Sequence, residues 1–354
     1  MTTSIPLGRS DRVLLFAPHP DDETLAAAGL FQQALESGAE ARVIYTTSGG
    51  NNPWMQRLYE RRWRVSSAED KARYAALRRN EALGALACMG LTADCAMFLD
   101  YPDQGMTHTL LNDPEPAVNL LSEELLRRKP TIVAVPSCFD LHPDHSALAV
   151  LVRLAMVRAA SEWKPRLVLH YIDHGTHKTP AGINDVQIAL TMEQQNVKRE
   201  ALARHETQLA LRRKWLLSFA APTETFIINE EARSSCEGHA IRRVSVDGGC
   251  LVLVMAQRAR PGAFGRTMLC LVSGGGGRQA LRFNMPVRWR KKTVPIAQFP
   301  DGRVVGEAIL SGNVHGGSAR IPLDILQTGT VLFAKLERRF GFFDEAGWIE
   351  IPHP

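Results

Sequence analysis

Val13-Leu14-Leu15-Phe16-Ala17 is apolar at every position, so a strand made from it has no face to offer water and belongs inside a sheet covered on both sides. Helical spacing follows at once. Leu25, Ala28, Leu30, Phe31 and Leu35 recur along one face between Glu23 and Gly38, and Gly38 is a natural stop. The alternation continues, with strands predicted over residues 42–46, 95–99, 132–135, 167–172 and 186–190 and helices over about 70–89, 117–128, 146–160 and 193–209. Strands joined by crossover helices build a parallel sheet, so the expected fold class is α/β: a mostly parallel, Rossmann-like sheet flanked by helices.

The pattern changes after about residue 229. Short alternating or apolar runs at 244–246, 250–255, 268–272, 331–334 and 348–351 are separated by glycines and prolines, which predicts an antiparallel β-sandwich or barrel. The 354 residues are therefore read as two domains, an α/β catalytic domain over 1–229 and a C-terminal, all-β, sandwich-like accessory domain over 239–354, joined by a linker at 230–238. The run Gly274-Gly275-Gly276-Gly277 leads into β-like sequence without a following helix, so it reads as a hairpin connection, not as a phosphate loop.

With 45% hydrophobic and 22% charged residues the chain is an ordinary globular one. A formal charge of +5, carried partly by Arg61-Arg62, Arg212-Arg213-Lys214 and Arg290-Lys291-Lys292, is too mild to demand a nucleic-acid partner and reads as solvated faces. No segment approaches the roughly 20 apolar residues that cross a bilayer, and the first residues lack the core of a secretion signal, so a cytoplasmic location is expected. Six scattered cysteines without CxxC spacing suit reduced, packed thiols.

Two clusters carry the chemistry. His19-Pro20-Asp21-Asp22-Glu23 directly follows the first strand, and His142-Pro143-Asp144-His145 follows the strand at 132–135 by a short loop. In an open α/β sheet the loops beyond the carboxyl ends of strands converge, so one divalent ion could collect ligands from both. Asp21 and Asp22 are adjacent and their side chains diverge, which allows one to bind an ion while the other moves a proton. Singly, each has a plainer explanation: an Asp-Asp-Glu run caps helices, and a lone histidine at a helix start is usually just that. Two His-Pro-Asp clusters at strand-to-helix turns of one sheet make coincidence a poor account.

Ala17-Pro18-His19-Pro20-Asp21-Asp22-Glu23 together with Asp140-Leu141-His142-Pro143-Asp144-His145 closely resembles the LmbE-like or PIG-L family of zinc-dependent N-deacetylases. Supporting matches are Thr46-Thr47-Ser48-Gly49-Gly50, Arg78-x-x-Glu81, Tyr101-Pro102-Asp103-Gln104-Gly105, and Lys198 with His205-Glu206-Thr207-Gln208. The resemblance covers about residues 10–228 and says nothing of the β-rich remainder. It implies that His19, Asp22 and His145 hold one Zn²⁺, that Asp21 is the base for the water zinc activates, and that His142 supports the oxyanion or protonates the leaving amine. Another divalent metal is the alternative occupant. Three protein ligands leave zinc an open position for water and carbonyl oxygen.

Asp144 and Asp140 are candidates to orient the histidines from behind, Asp140 equally being a turn-forming residue. Arg78 and Asp103 match family positions near the substrate, Arg78 having an exposed Arg78–Glu81 pair as its plainer reading. Trp54, in a loop over 51–55, either stacks on a sugar or anchors that loop. His174 and His177 lie on the same sheet edge as the metal motif and default to surface histidines. The expected function is removal of an N-acetyl or other acyl group from an amino sugar or amino-sugar glycoconjugate. Alternatives are a thiol-conjugate amidase of the mycothiol type and a non-catalytic carbohydrate-binding protein. The β domain is left to cap the cleft, bind glycan or form a homo-oligomer.

Overall fold

The unbroken apolar run does become a strand in the middle of a sheet. In a computed structural model of the chain, β1 (Arg12–Ala17) pairs in parallel with β2 (Glu40–Thr47) on one side and with β4 (Ile132–Pro136) on the other. The structure describes residues 5–64, 67–175, 185–228, 230, 232–256, 267–274, 279–285, 291–298, 300–313, 316–326, 331–338 and 342–352.

The first sheet is completed by β3 (Ala96–Tyr101), β5 (Leu167–Tyr171), β6 (Asp185–Ala189) and β7 (Thr223–Ile228), in the order β3-β2-β1-β4-β5-β7-β6. From β3 to β5 the strands run parallel, while β7 and β6 are antiparallel additions at one edge. Its helices are α1 (Asp22–Glu36), α2 (Pro53–Glu60), α3 (Ala68–Cys88), α4 (Met106–Asn112), α5 (Glu115–Arg128), α6 (Pro143–Ala159), α7 (Met192–Arg204) and α8 (Glu206–Ser218). Alternate residues of β1 serve opposite layers. Val13, Leu15 and Ala17 join a core with α1, α3 and α7, and Leu14 and Phe16 join one with α4, α5 and α6.

The single helix expected over 193–209 is broken at His205, whose backbone (φ −82, ψ 59) is not helical. Its ring is drawn off to Glu23 Oε1 at 3.1 Å and Thr24 Oγ1 at 3.2 Å, and a second helix then runs on to Ser218. Strand β7 escapes sequence reading because Glu224 occupies an inward position and interrupts the apolar alternation. Glu224 is buried with Lys198, whose Nζ lies 2.6 Å from its Oε1. The pair mends a kink in α1 at Ala27 (φ −136, ψ 15): Lys198 Nζ donates to Leu25 O at 2.8 Å, and Glu224 accepts from Gly29 N at 2.7 Å and Leu30 N at 3.0 Å.

The C-terminal region is antiparallel, as its alternation predicts, but all its strands form one sheet instead of the two layers of a sandwich. Strands β8 (Ile241–Asp247), β9 (Cys250–Ala256), β10 (Thr267–Gly274), β11 (Gln279–Met285), β12 (Lys291–Gln298), β13 (Val304–Asn313), β14 (Gly316–Pro322), β15 (Val331–Arg338) and β16 (Ile349–Ile351) take the order β16-β15-β10-β11-β12-β13-β14-β9-β8. Side chains such as Val244, Leu253, Leu271, Phe283, Ile296, Leu310, Ile321 and Ile349 share one interior. One face can enclose such a core only by curling on itself, so the sheet is close to a barrel. Along β10, Leu269 and Leu271 point into that interior, while Met268, Cys270 and Val272 join the α4–α6 core of the first sheet. A strand wet on neither face explains the continuous apolar run at 268–272.

Gly347 marks how closely the two regions meet: a Cβ there would stand 1.8 Å from Cys138 O and 2.8 Å from Asp140 O. All six cysteines are free. Among the described residues no helix is long and apolar enough to cross a membrane.

Candidate metal and active site

The first turn leaves β1 through Pro18, whose carbonyl accepts from Thr47 N at 2.9 Å and Thr47 Oγ1 at 2.8 Å, tying the turn to the end of β2. Asp21 stands at the N-cap position of α1 yet makes no side-chain cap, so the plain capping explanation does not account for it. Its backbone has φ 144 and ψ −27, a region costing a non-glycine residue on the order of 1–3 kcal/mol. Glu23 Oε2 accepts the Asp21 N–H at 2.9 Å, and Arg78 Nη2 donates to Asp21 Oδ1 at 2.8 Å. The strained conformation is therefore held from both ends.

The second turn starts α6. Pro143 fills the first helical position, where a missing N–H is harmless, and His142 Nδ1 accepts from Asp144 N at 3.2 Å. That bond leaves the His142 proton on Nε2. Asp140 Oδ1 accepts His142 N at 2.8 Å, while its Oδ2 accepts Asp173 N at 3.0 Å and His174 N at 3.1 Å. Asp140 is thus both the turn-former and a partner of the histidine behind it.

The turns meet on one oxygen. Asp22 Oδ2 lies 3.3 Å from His19 Nδ1 and 3.4 Å from His145 Nε2. The far nitrogen of each ring faces carboxylates: His19 Nε2 is 3.3 Å from both Asp103 Oδ1 and Asp144 Oδ2, and His145 Nδ1 is 3.2 Å from Asp140 Oδ2. A carboxylate behind each imidazole fixes ring and tautomer, as at metal centres. Both ring nitrogens of His145 are buried without an aligned hydrogen-bond partner among the described residues, each facing only a carboxylate oxygen, Nδ1 that of Asp140 and Nε2 that of Asp22. His19, His142 and His145 bring donor atoms within 4.8 Å of one another, as do Asp22, His145 and His174, and His19, Asp103 and Asp144. Nitrogen and carboxylate donors in this density fit a divalent cation.

Electrostatics agree with the packing. Burial alone would depress the His19 imidazole, but hydrogen bonds that it donates to Asp103, Asp144 and Asp22 raise it well above its ordinary value. His145 is likewise raised by Asp22 and Asp140 against the effect of burial. Burial pushes Asp22 up, and His145 and His19 outweigh it, holding the carboxyl below the usual range. Asp21 goes the other way: burial, opposed by Arg78 and reinforced by Asp22, lifts it to about 6. His142 is pushed well below its ordinary value by burial and by His19 and His145 nearby. The carboxylates call for positive charge around His19 and His145, while Asp21 and His142 shift the opposite way, each towards its neutral form.

The cluster opens on a cavity of about 490 Å³ whose floor includes His19, Asp21, Asp22, Asp103 and His142. Arg78 reaches this cavity but is buried, with Nη1 donating to Gly49 O at 2.9 Å and Nη2 to Pro20 O at 2.6 Å. Its alternative pairing with Glu81 is not seen, since Glu81 binds Thr207 N at 2.8 Å and Thr207 Oγ1 at 2.6 Å. Asp103 also borders the cavity, but its carboxylate is engaged by His19 and by Asn51 N at 2.7 Å.

Trp54 lies in the first turn of α2, capped by Asn52, so the expected loop ends at residue 52; the ring is exposed at the cavity and is no packed anchor. His174 is not a surface histidine: its ring stands 5.0 Å from His145 and stacks on Trp215 at 5.4 Å. His177 lies outside the described residues. Trp215, Phe342 and Phe343 also line the cavity. Sequence reasoning misses them because they are far along the chain and carry no motif.

Fold and site together define an α/β protein with a candidate His–carboxylate metal centre at the carboxyl ends of β1 and β4. The protein-family model described as PIG-L: GlcNAc-PI de-N-acetylase matches residues 14–156, the stretch that carries both His-Pro-Asp turns. A 1D-myo-inositol 2-acetamido-2-deoxy-alpha-D-glucopyranoside deacetylase of Rhodococcus jostii is 28% identical over 169 residues, 44% of this chain and 56% of that protein. The chain thus matches little more than half the length of this curated relative. The N,N'-diacetylchitobiose deacetylase of Pyrococcus horikoshii has a similar structure with TM-score 0.47 and 18% identity, covering 62% of this chain and 83% of that one. The A40926 pseudoaglycone deacetylase Dbv21 gives TM-score 0.47 and 23% identity over 63% of this chain and 98% of that one.

Proposed function

We propose that this chain is a zinc-dependent hydrolase that removes an N-acetyl, or other N-acyl, group from an amino sugar or an amino-sugar glycoconjugate. The observation that carries this reading is Asp22 Oδ2 between His19 Nδ1 at 3.3 Å and His145 Nε2 at 3.4 Å, with Asp21 next in the chain on the same cavity. His19, Asp22 and His145 would hold the ion, with Asp140, Asp144 and Asp103 keeping the imidazoles in place. Bound there, Zn²⁺ supplies a Lewis acid for the amide carbonyl and lowers the pKa of a water towards roughly 7.

Asp21 takes the proton from the attacking water, and Arg78 keeps its carboxylate aimed. His142, with Nδ1 already accepting Asp144 N, donates an Nε2–H hydrogen bond to the oxygen that gains charge, and the proton Asp21 took from the water passes to the departing nitrogen. Trp54 offers its exposed ring for stacking on a sugar. In this reading Arg78 and Asp103 touch substrate only at its edge, since both are engaged with the groups they position. Residues 1–229 act as the catalytic domain and 239–354 as the accessory one.

The test is metal content by mass spectrometry of the purified chain beside turnover of a panel of N-acetyl sugars and cysteine-conjugate amides. Stoichiometric zinc and release of acetate from an amino sugar are expected. Cleavage of the thiol conjugates alone would move the assignment to the amidase, and stoichiometric metal with no amide cleaved would end the hydrolase reading.

A further inference from the structure

The floor of the cavity is polar, while its walls mix polar side chains such as Asn52, Gln104 and Gln208 with large apolar ones. Trp54, Leu211, Phe342 and Phe343, exposed by 68, 54, 44 and 41%, all border this cavity. Large apolar side chains gathered at one opening, not scattered singly, mark a binding surface. Phe342 and Phe343 continue through His174 to Trp215 as one run of touching rings. Phe342 stands 4.8 Å from the His142 ring and 5.0 Å from Phe343, Phe343 is 5.5 Å from His174, and His174 stacks on Trp215 at 5.4 Å.

The phenylalanine pair belongs to residues 342–348 ahead of β16, and this stretch is tied to the loop that carries His142. Asp344 N donates to Leu141 O at 2.9 Å, and Gly347 presses on Cys138 O. Arg153 of α6 grips Glu350 with two bonds of 3.0 Å. The C-terminal region therefore contributes a rigid wall to the pocket whose floor belongs to the α/β region. A volume of about 490 Å³ falls in the range of roughly 300–1,000 Å³ typical of sites for drug-sized ligands.

We propose that Phe342, Phe343, Trp215 and Leu211 form a specificity subsite for an apolar group carried by the substrate beside the scissile amide, supplied by its aglycone or by its acyl chain. This rests on the amino-sugar hydrolase reading for what lies on the floor, but the wall can be tested by binding alone. The full chain in an Asp21→Asn background, which should slow turnover by about 10²–10⁴, is titrated calorimetrically with the methyl, phenyl and octyl glycosides of N-acetylglucosamine and with N-octanoylglucosamine.

At least one apolar ligand is expected to bind 10-fold or more tighter than the methyl glycoside, and that ratio to fall to within about twofold of one in Phe342→Ala/Phe343→Ala. A gain confined to the glycosides identifies the aglycone, and one confined to N-octanoylglucosamine the acyl chain. Leu211→Ser, at an exposed position of α8, should lower the same ratio and serves if the double variant does not fold. Equal affinity for all four ligands, or a ratio that neither variant changes, overturns the proposal. With Asp21 intact, failure to cleave any of the four would remove the hydrolase reading, and the binding ratio would still decide the wall.

Discussion

Arg78, 57 residues along the chain in α3, places Nη2 2.8 Å from Asp21 Oδ1 while the same nitrogen donates to Pro20 O at 2.6 Å. One guanidinium thus holds both the carboxyl and the preceding peptide of a residue whose φ of 144 is uncommon for anything but glycine. Backbone strain of this kind persists only where the surroundings over-determine it.

Asp21→Ala is expected to retain the metal, because Asp21 is not among the three proposed ligands. Turnover should fall by about 10²–10⁴, the usual contribution of a positioned general base. Metal content and turnover measured on the same sample check this. A variant with ordinary turnover would remove Asp21 from the base role.

Gly49→Ala tests the cradle behind that acid. Gly49 has φ +62, and an added Cβ would lie 2.1 Å from Arg78 Nη1, so the guanidinium must leave its place. Turnover should drop at least about 10-fold with metal content unchanged, since the loss is one of aim and not of ligands. Loss of metal in parallel with turnover would show that Arg78 supports the whole site instead.

Asp140→Asn should weaken metal binding about 10- to 100-fold, the usual cost of removing a carboxylate behind a ligating histidine. His145 Nδ1 loses its anionic partner at 3.2 Å, while the single amide oxygen keeps one side of the backbone contacts, either His142 N or Asp173 N and His174 N. Chelator competition gives the affinity. An unchanged value would mean that His145 is not a ligand.

Much of this arrangement is legible in the chain. Residues 13–17 announce a buried central strand by having no polar position, and the two His-Pro-Asp clusters follow strands, the first directly and the second after a short loop, so both are expected at one sheet edge. What is illegible depends on partners distant in sequence. Glu224 looks like the end of an apolar run until Lys198 is found against it. His205 looks like mid-helix until Glu23 takes its ring. Phe342 and Phe343 acquire meaning only because Gly347 lets their segment lie against Cys138 O. Sandwich and barrel both remain open in the sequence because alternation fixes which face is inward, not how far a sheet curls.

Glu224→Ala leaves the Lys198 ammonium buried with Leu25 O as its remaining hydrogen-bond partner, and frees Gly29 N and Leu30 N at the kink of α1. Breaking one side of a buried pair costs roughly 3–5 kcal/mol. Urea unfolding should show a loss of that order. The double change Lys198→Met/Glu224→Leu should recover part of it, which a purely local packing defect at Glu224 would not allow.

Glu230 gives a pH-dependent prediction away from the metal cluster. Burial raises its carboxyl to about 7, against the lowering effect of hydrogen bonds from Ser137 Oγ at 2.9 Å and Cys138 N at 3.3 Å. His170 lies 3.4 Å away but is itself pushed down to about 4 by burial, so near neutral pH the two do not form a strong ion pair. Glu350, which adds repulsion, and Arg233, which opposes it, also act on Glu230. Below the ordinary value of 4.5 both folded and unfolded chains hold the proton and nothing is lost. As pH rises the unfolded chain releases its proton first, so stability falls through this interval and the full loss is present above pH about 7. The difference from 4.5 to about 7 corresponds to about 3 kcal/mol, an upper order of magnitude. Glu230→Gln keeps an acceptor for Ser137 and Cys138 without the charge, so it should be more stable than the natural chain at pH 8–9 and indistinguishable from it near pH 4.5. The His170 contribution has the opposite sign, being lost as pH falls below 6.5, and it is common to both chains, so it cancels in the comparison. Thermal melts of the pair across this range decide the matter, and a stability difference that does not change with pH would show that Glu230 is charged throughout.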